Sequence, residues 1–183
     1  WTETGLQALE YSLAEQNADG SFYYFGLADS SQYGLADAAL KSIDHYHSGF
    51  VLRSLASIWR STGESRVREA LRSGYEFYRQ RLFTPELLPM HTPHARYPVN
   101  IHSCAEAILC MRTLSALFPA SLDYAWRTFA WTRAQMQTPQ GWFIYKILPE
   151  GRFPRRIRIP FLRWGQAWMM RALSELALRS GDS

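Results

Sequence analysis

Lysine is almost absent from this chain: Lys41 and Lys146 stand against eighteen arginines in 183 residues. Cysteine is as scarce. Cys104 and Cys110 are the only two, which excludes a disulfide scaffold. They lie six residues apart in an apolar helical stretch, so they point to different faces and are expected to be free, buried thiols. No apolar run reaches the ~20 residues that span a bilayer, because Arg112 and Arg171 interrupt the stretches around Ile108 and Met169. No basic-then-apolar leader follows Trp1, which leaves the compartment open with the cytoplasm slightly favoured, while the missing initiator Met suggests a chain cut from something longer. Glycine-rich phosphate loops are missing too, since Gly20 and Gly141 are lone turn glycines. No nucleic-acid recognition motif accompanies the charge, so nucleic acid is not an expected partner, and no cofactor or metal is expected.

What is present is apolar and aromatic: 47% hydrophobic residues, 15% aromatic, and a net charge of +4. That is enough for one core and not for two, so residues 1–183 are read as a single domain. The arginines present planar forks that grip carboxylates and phosphates at two points, which favours an anionic ligand.

The chain repeats itself. Gln16-Asn-Ala-Asp-Gly20-Ser-Phe22-Tyr-Tyr24 is echoed by Gln137-Thr-Pro-Gln-Gly141-Trp-Phe143-Ile-Tyr145, with Gln80-Arg-Leu-Phe-Thr84 set at the equivalent place between them. Each segment leads to a second helix, and aligning Gly49, Cys104 and Gly165 puts His47, His102 and Arg163 at one position. Three units of about 1–62, 63–118 and 119–183 follow. The first helices (about Gly5–Asn17, Ser65–Leu82 and Ser121–Gln137) show apolar residues at three-to-four spacing with one wet face. The second (about Ile43–Ser61, Val99–Phe118 and Pro160–Leu178) are apolar nearly all round and are expected to be buried on both sides. Asp44 and Asn100 are placed as N-caps and Pro160 in a first helical turn. Extended pieces are expected at Phe22–Phe25, Trp142–Ile147 and Ile157–Ile159. An outer ring of amphipathic helices around an inner buried ring is an all-α α/α toroid. Three hairpins make an incomplete ring, so apolar surface should be exposed, to be covered by a missing N-terminal half or by a second copy.

Function in such a ring belongs at the mouth lined by the starts of the inner helices. There the repeat gathers Asp44, His45, His47, Asn100, His102, Ser103, Arg163, Trp164 and Gln166, beside the aromatic turns with Tyr24, Tyr97, Trp142 and Tyr145. Aromatic platforms among Asp, His, Asn, Gln and Arg suit a sugar, which offers CH faces and hydroxyl edges together. Asp44 serves as acid, base or nucleophile, or simply as a helix cap. His47 and His102 move or orient protons, or bond a backbone carbonyl. The rings of His45 and His47 diverge on a helix, which argues against a shared metal. Glu106, one turn beyond His102, orients that imidazole or pairs with an arginine. Arg163 holds a uronate carboxylate or pairs with Asp44 or Glu106. Arg152-Phe-Pro-Arg155-Arg156-Ile-Arg158 alternates as an edge strand does, and reads as a solvated loop or an anion-capture patch. Trp59, Trp126, Trp131 and Trp168 read as core. Glycoside hydrolysis needs two carboxylates, and only Asp19 and Asp44 fall near the mouth, Asp19 doubling as a turn former.

The strings Ile43-Asp-His-Tyr-His-Ser-Gly-Phe50, Tyr97-Pro-Val-Asn-Ile-His-Ser103 and Phe161-Leu-Arg-Trp-Gly-Gln-Ala-Trp-Met169 resemble the C-terminal half of bacterial α/α-toroid proteins of the six-hairpin glycosidase-like superfamily, found with polysaccharide biosynthesis and modification genes. The resemblance implies a carbohydrate-active domain working on a bacterial, acidic polysaccharide by hydrolase, lyase or epimerase chemistry. In the enzyme reading Asp44, His47 and His102 are catalytic, while Tyr24, His45, Asn100, Trp142, Tyr145, Arg163, Trp164 and Gln166 bind the saccharide. The alternatives are a non-catalytic glycan- or protein-binding module and a terpenoid-cyclase-like toroid. The last lacks an aspartate-rich motif.

Overall fold

The computed structural model describes residues 2–27, 30–149 and 155–177, which divide into two compact units, Trp1–Gln80 and Arg81–Ser183. The first holds α1 (Thr2–Ala14), a 3-10 turn (Ser30–Tyr33), the short α2 (Asp37–Leu40), α3 (His45–Thr62) and α4 (Ser65–Arg81), whose last residue already belongs to the second unit. Asp44 caps α3 by accepting the His47 N–H, which satisfies one of the four orphan donors of a helix start. Gly63, at φ 70°, closes α3 by donating to the Trp59 carbonyl. Leu52, Leu55 and Ala56 of α3 are buried, as are Val67, Leu71, Tyr75 and Tyr78 of α4. At Gly74 the packing is so close that a Cβ would lie 2.6 Å from Leu52 Cδ2.

In the second unit α5 (Ile101–Leu114) is the central helix, with only Arg112 and Thr113 reaching the surface. Both α6 (Ser121–Met136) and α7 (Ala167–Ala177) pack on it, and the Ser121 hydroxyl donates to the Met111 carbonyl at 2.7 Å. β1 (Val99–Asn100), β2 (Lys146–Leu148) and β3 (Arg155–Ile157) form an antiparallel sheet in that order. β1 runs directly into α5, where Asn100 caps the helix by accepting the His102 N–H. Leu162–Gln166 form a π-helical turn before α7. Cys104 and Cys110 are free and buried.

The repeat holds at the level of single hydrogen bonds. Asn17 donates to Ser21 O (2.9 Å) and Gly20 back to Asn17 O (2.8 Å); Thr138 donates to Trp142 O (2.8 Å) and Gly141 to Thr138 O (2.9 Å). Gln16 and Gln137 each donate a side-chain N–H to the carbonyl of the turn glycine. A third copy of the turn runs from Thr84, which donates to Leu88 O while Leu87 donates to Thr84 O, both at 2.9 Å. Thr84 therefore corresponds to Asn17 and Thr138, and Phe83 to Gln16 and Gln137. That corrects the register drawn from Gln80 by three residues.

Other expectations shift as well. All three first helices and the starts of α3 and α5 fall where expected, within about three residues. Burial on both sides holds for α5 alone: α3 buries six of eighteen residues and α7 three of eleven. On α7, Leu162 of the preceding turn and Met170 stand 75% and 71% exposed. They border an apolar groove of about 500 Å³ with Phe143, Ala167 and Leu173. Pro160 lies before the π turn rather than in a first helical turn, since Phe161 is its cap. Residues 22–25 form no strand, although Tyr24 N–H donates to Ser42 O. The Arg152–Arg158 run does end in an edge strand, β3, but Arg152, Phe153 and Pro154 lie outside the described residues, as does Leu178. Trp126 is exposed and Trp59, Trp131 and Trp168 are only half-buried, so none of the four tryptophans is core.

Candidate functional site

In the first unit the chemistry gathers at the start of α3. Asp44 uses both carboxylate oxygens on His47: Oδ1 accepts its backbone N–H at 2.9 Å, and Oδ2 lies 2.5 Å from its Nδ1. The cap and the carboxylate–imidazole pair are thus one side chain's work. An Nδ1–H donated to Oδ2 leaves the lone pair on Nε2, so the ring is oriented as a base. His47 is 33% exposed and ringed by aromatics. Tyr24 meets it edge-on at 4.4 Å, Phe50 at 5.8 Å, and Tyr46 lies tilted against it at 4.1 Å. Tyr24 itself is half exposed and held by its bond to Ser42. His45, one residue after the cap, turns inward to full burial, where Nε2 lies 2.7 Å from the Tyr78 hydroxyl. It braces α3 on α4 and is out of reach of a ligand. Asp19 is spent on its turn, accepting the Ser21 N–H and hydroxyl.

In the second unit the corresponding helix start carries His102, 1% exposed. Trp164 stands edge-on to it at 4.4 Å and Trp168 lies tilted at 5.2 Å. The two indoles sit one helical turn apart, on one face of the π turn and α7. The π turn approaches α5 closely: a Cβ on Gly165 would lie 2.8 Å from Ile101 Cγ2. The sheet brings in Tyr145, whose carbonyl accepts the Ile101 N–H at 3.0 Å; its ring meets Phe161 at 4.9 Å and carries Lys146 Nζ 4.6 Å above it. Gln166 is largely committed to the Phe143 peptide, accepting its N–H (2.8 Å) and donating to its carbonyl (2.7 Å), which leaves one N–H and one lone pair for a ligand. Arg163 is exposed and makes no ion pair among the described residues. Trp142 is half-buried in the turn, with its carbonyl accepting from Thr138. Asn100 is buried as the α5 cap, and Glu106 is fully buried one turn below His102. Burial pushes the Cys104 thiol up to about 12, against a bond to Thr132, so this thiol is no nucleophile.

The three positions aligned by sequence are not quite equivalent in register. His47 is the third residue after its cap, whereas His102 and Arg163 are the second after Asn100 and Phe161. Tyr46, Phe50, Phe161 and Lys146 join these clusters without the sequence marking them as site residues, and Trp168, read from the sequence as core, packs on His102. The four-residue spacings Tyr46–Phe50 and Trp164–Trp168 were the available signal.

Helical hairpins whose inner-helix starts carry the polar and aromatic side chains make a partial α/α toroid. No protein-family model and no curated protein matches the chain. Among solved structures, cellobiose 2-epimerase from Spirochaeta thermophila matches with a TM-score of 0.73 at 15% identity, over 96% of this chain and 46% of that one. A sugar epimerase from a ruminal bacterium matches at 0.72 and 14%, over 95% and 47%. An α-1,6-mannanase from Salegentibacter matches at 0.67 and 11%, over all of this chain and 66% of that one. The chain thus spans about half the length of the epimerases it resembles.

Proposed function

We propose that this chain is a carbohydrate-active toroid domain that moves a proton on a bound saccharide, in epimerase or lyase fashion. The Asp44–His47 pair carries the reading. Asp44 holds the imidazole with Nε2 outward, and Nε2 takes a proton from the sugar carbon next to a carbonyl or carboxylate carbon. Tyr24, half exposed beside the ring, stacks on the sugar and offers its hydroxyl to the developing oxyanion. In the second unit, Trp164 and Tyr145 are the proposed stacking platforms and Arg163 a carboxylate clamp, with His102 and Trp168 backing Trp164 and with Asn100, Trp142 and Gln166 shaping the wall.

Hydrolysis is less well supported. Asp44 is committed to His47 and Asp19 to Ser21, so neither is free as the second carboxylate that glycoside cleavage requires. The mannanase neighbour is inactive when two consecutive aspartates become asparagine, and this sequence contains no Asp-Asp pair. A second reading, a glycan-recognition module, is favoured by the commitment of Asp19 to Ser21 and of Asp44 to His47, which leaves no carboxylate pair at the helix starts.

The test is solvent exchange. Wild type and His47→Asn are incubated in D2O with reducing disaccharides and with uronate polymers, and deuterium at sugar carbons is read by NMR. Deuterium incorporation that falls at least a hundredfold in the variant is expected. New reducing ends without deuterium would mean hydrolysis, and saccharide binding with neither signal would leave the recognition module.

A further inference from the structure

The corresponding turn residues Asn17, Thr84 and Thr138 set the first helices of the three units, α1, α4 and α6, in one register. Six, ten and thirteen residues earlier stand Tyr78, Gly74 and Leu71 on α4, and Thr132, Thr128 and Ala125 on α6. All six are buried. This face seals each first helix onto the second helix that precedes it. Tyr78 bonds His45 of α3 and Gly74 lies against Leu52, while Ser121 and Met136 of α6 touch Met111 and Cys104 of α5. On α1 the same positions are Tyr11, Gln7 and Thr4, and all three are exposed. No second helix precedes α1 among the described residues, so its sealing face is uncovered.

The converse holds for α7. It is a second helix that no first helix follows among the described residues, and it borders the apolar groove where Leu162 and Met170 are the most exposed large apolar side chains. A contiguous apolar surface of this kind marks a contact with another chain. The sequence thus carries both sides of one missing contact, a first helix without its predecessor and a second helix without its follower. Their charges are complementary. Residues 1–40 hold six acids and no basic residue, whereas residues 155–174 hold five arginines and no acid. Pairing α7 with another α7 would instead set Arg163 and Arg171 against their own copies.

We infer that α1 of one copy of this chain packs on the α7 groove of a second copy, and reciprocally, so that two copies associate head to tail. The repeat supplies the register of the contact. Tyr78 meets His45, the first residue after the α3 cap, which places Tyr11 on Leu162, the first after Phe161. Gly74 meets Leu52, the eighth after that cap, which places Gln7 beside Met170, the ninth after Phe161, the wider π turn taking up one residue. Two copies also supply the length of one cellobiose 2-epimerase, of which this chain covers 46%. The pairing stands apart from the saccharide reading and needs no ligand.

The test is sedimentation equilibrium of the whole chain between about 1 and 100 μM, where twice the 21.2 kDa of one chain is expected. Gln7→Arg and Met170→Glu change exposed positions, so both variants keep the circular dichroism and urea midpoint of wild type. Each turns a charge toward a surface of its own sign at both contacts of its dimer, and association weakens about a hundredfold or more. Mixed in equal amounts, the two variants recover the dimer, because one contact joins the new arginine to the new glutamate and the other is unchanged. A wild-type chain that stays monomeric would leave the groove to another segment and overturn the inference. So would an assembly larger than two copies, a dimer that survives either single change, or two variants that stay monomeric when mixed.

Discussion

Gly20 and Gly141 occupy the same place in the same turn, at φ 88° and 94°, yet their surroundings differ. A Cβ on Gly20 would lie 2.3 Å from the Ser73 backbone oxygen, whereas one on Gly141 meets nothing within 4 Å. Gly141→Ala is therefore expected to cost only the left-handed backbone penalty, about 1 kcal/mol, and Gly20→Ala more than about 3 kcal/mol, because the clash is with main chain. Urea denaturation of the two variants measures the difference, and equal losses would refute the asymmetry. The third copy of the turn was hard to find for a related reason. Leu87 holds the left-handed position at φ 62°, and neither the glycine nor the preceding glutamine is present to mark it, so only the hydrogen bonds reveal the register. His45 and His47 were likewise indistinguishable by type. The helix rotates one to Tyr78 and the other to solvent.

At the scale of elements, the capped starts were legible and the short or irregular pieces were not. Asp44 and Asn100 follow the chemistry of orphan N–H groups, which any sequence must satisfy. β1 has two residues, too few to show an alternation, and a π turn has no compositional signature that sets it apart from an α-helix. The α3 start allows its two functions to be separated. Asn at position 44 keeps an oxygen for the His47 N–H but loses the charge beside Nδ1. Asp44→Asn should hold stability within about 0.5 kcal/mol of wild type, and Asp44→Ala should lose about 1 kcal/mol, while deuterium exchange falls in both. Chemical denaturation beside the exchange assay reads the two effects independently; exchange retained in Asp44→Asn would remove the carboxylate from the mechanism.

For the whole molecule, the repeat and the toroid were readable because helical periodicity survives in every unit, whereas the unequal burial of α3, α5 and α7 depends on neighbours that no single helix encodes. Burial also sets a pH response. The Cys104 thiol ionises near 9.0 when free and near 12 when folded. Above pH 9 the unfolded chain releases this proton and the folded chain keeps it, so stability falls as pH rises, by up to about 1.4 kcal/mol per pH unit. Urea midpoints between pH 8 and 10.5 should decline more steeply for wild type than for Cys104→Ala, and parallel slopes would contradict the assignment.

The uneven placement of arginine has a consequence for handling the protein. Residues 1–80 carry seven basic and ten acidic side chains, and residues 81–183 carry thirteen and six. The isoelectric point of about 9.2 is thus an average that describes neither unit. At neutral pH the first would be retained by an anion-exchange resin and the second by a cation-exchange resin, so the intact chain should bind both matrices at low salt, each through a different part of its surface.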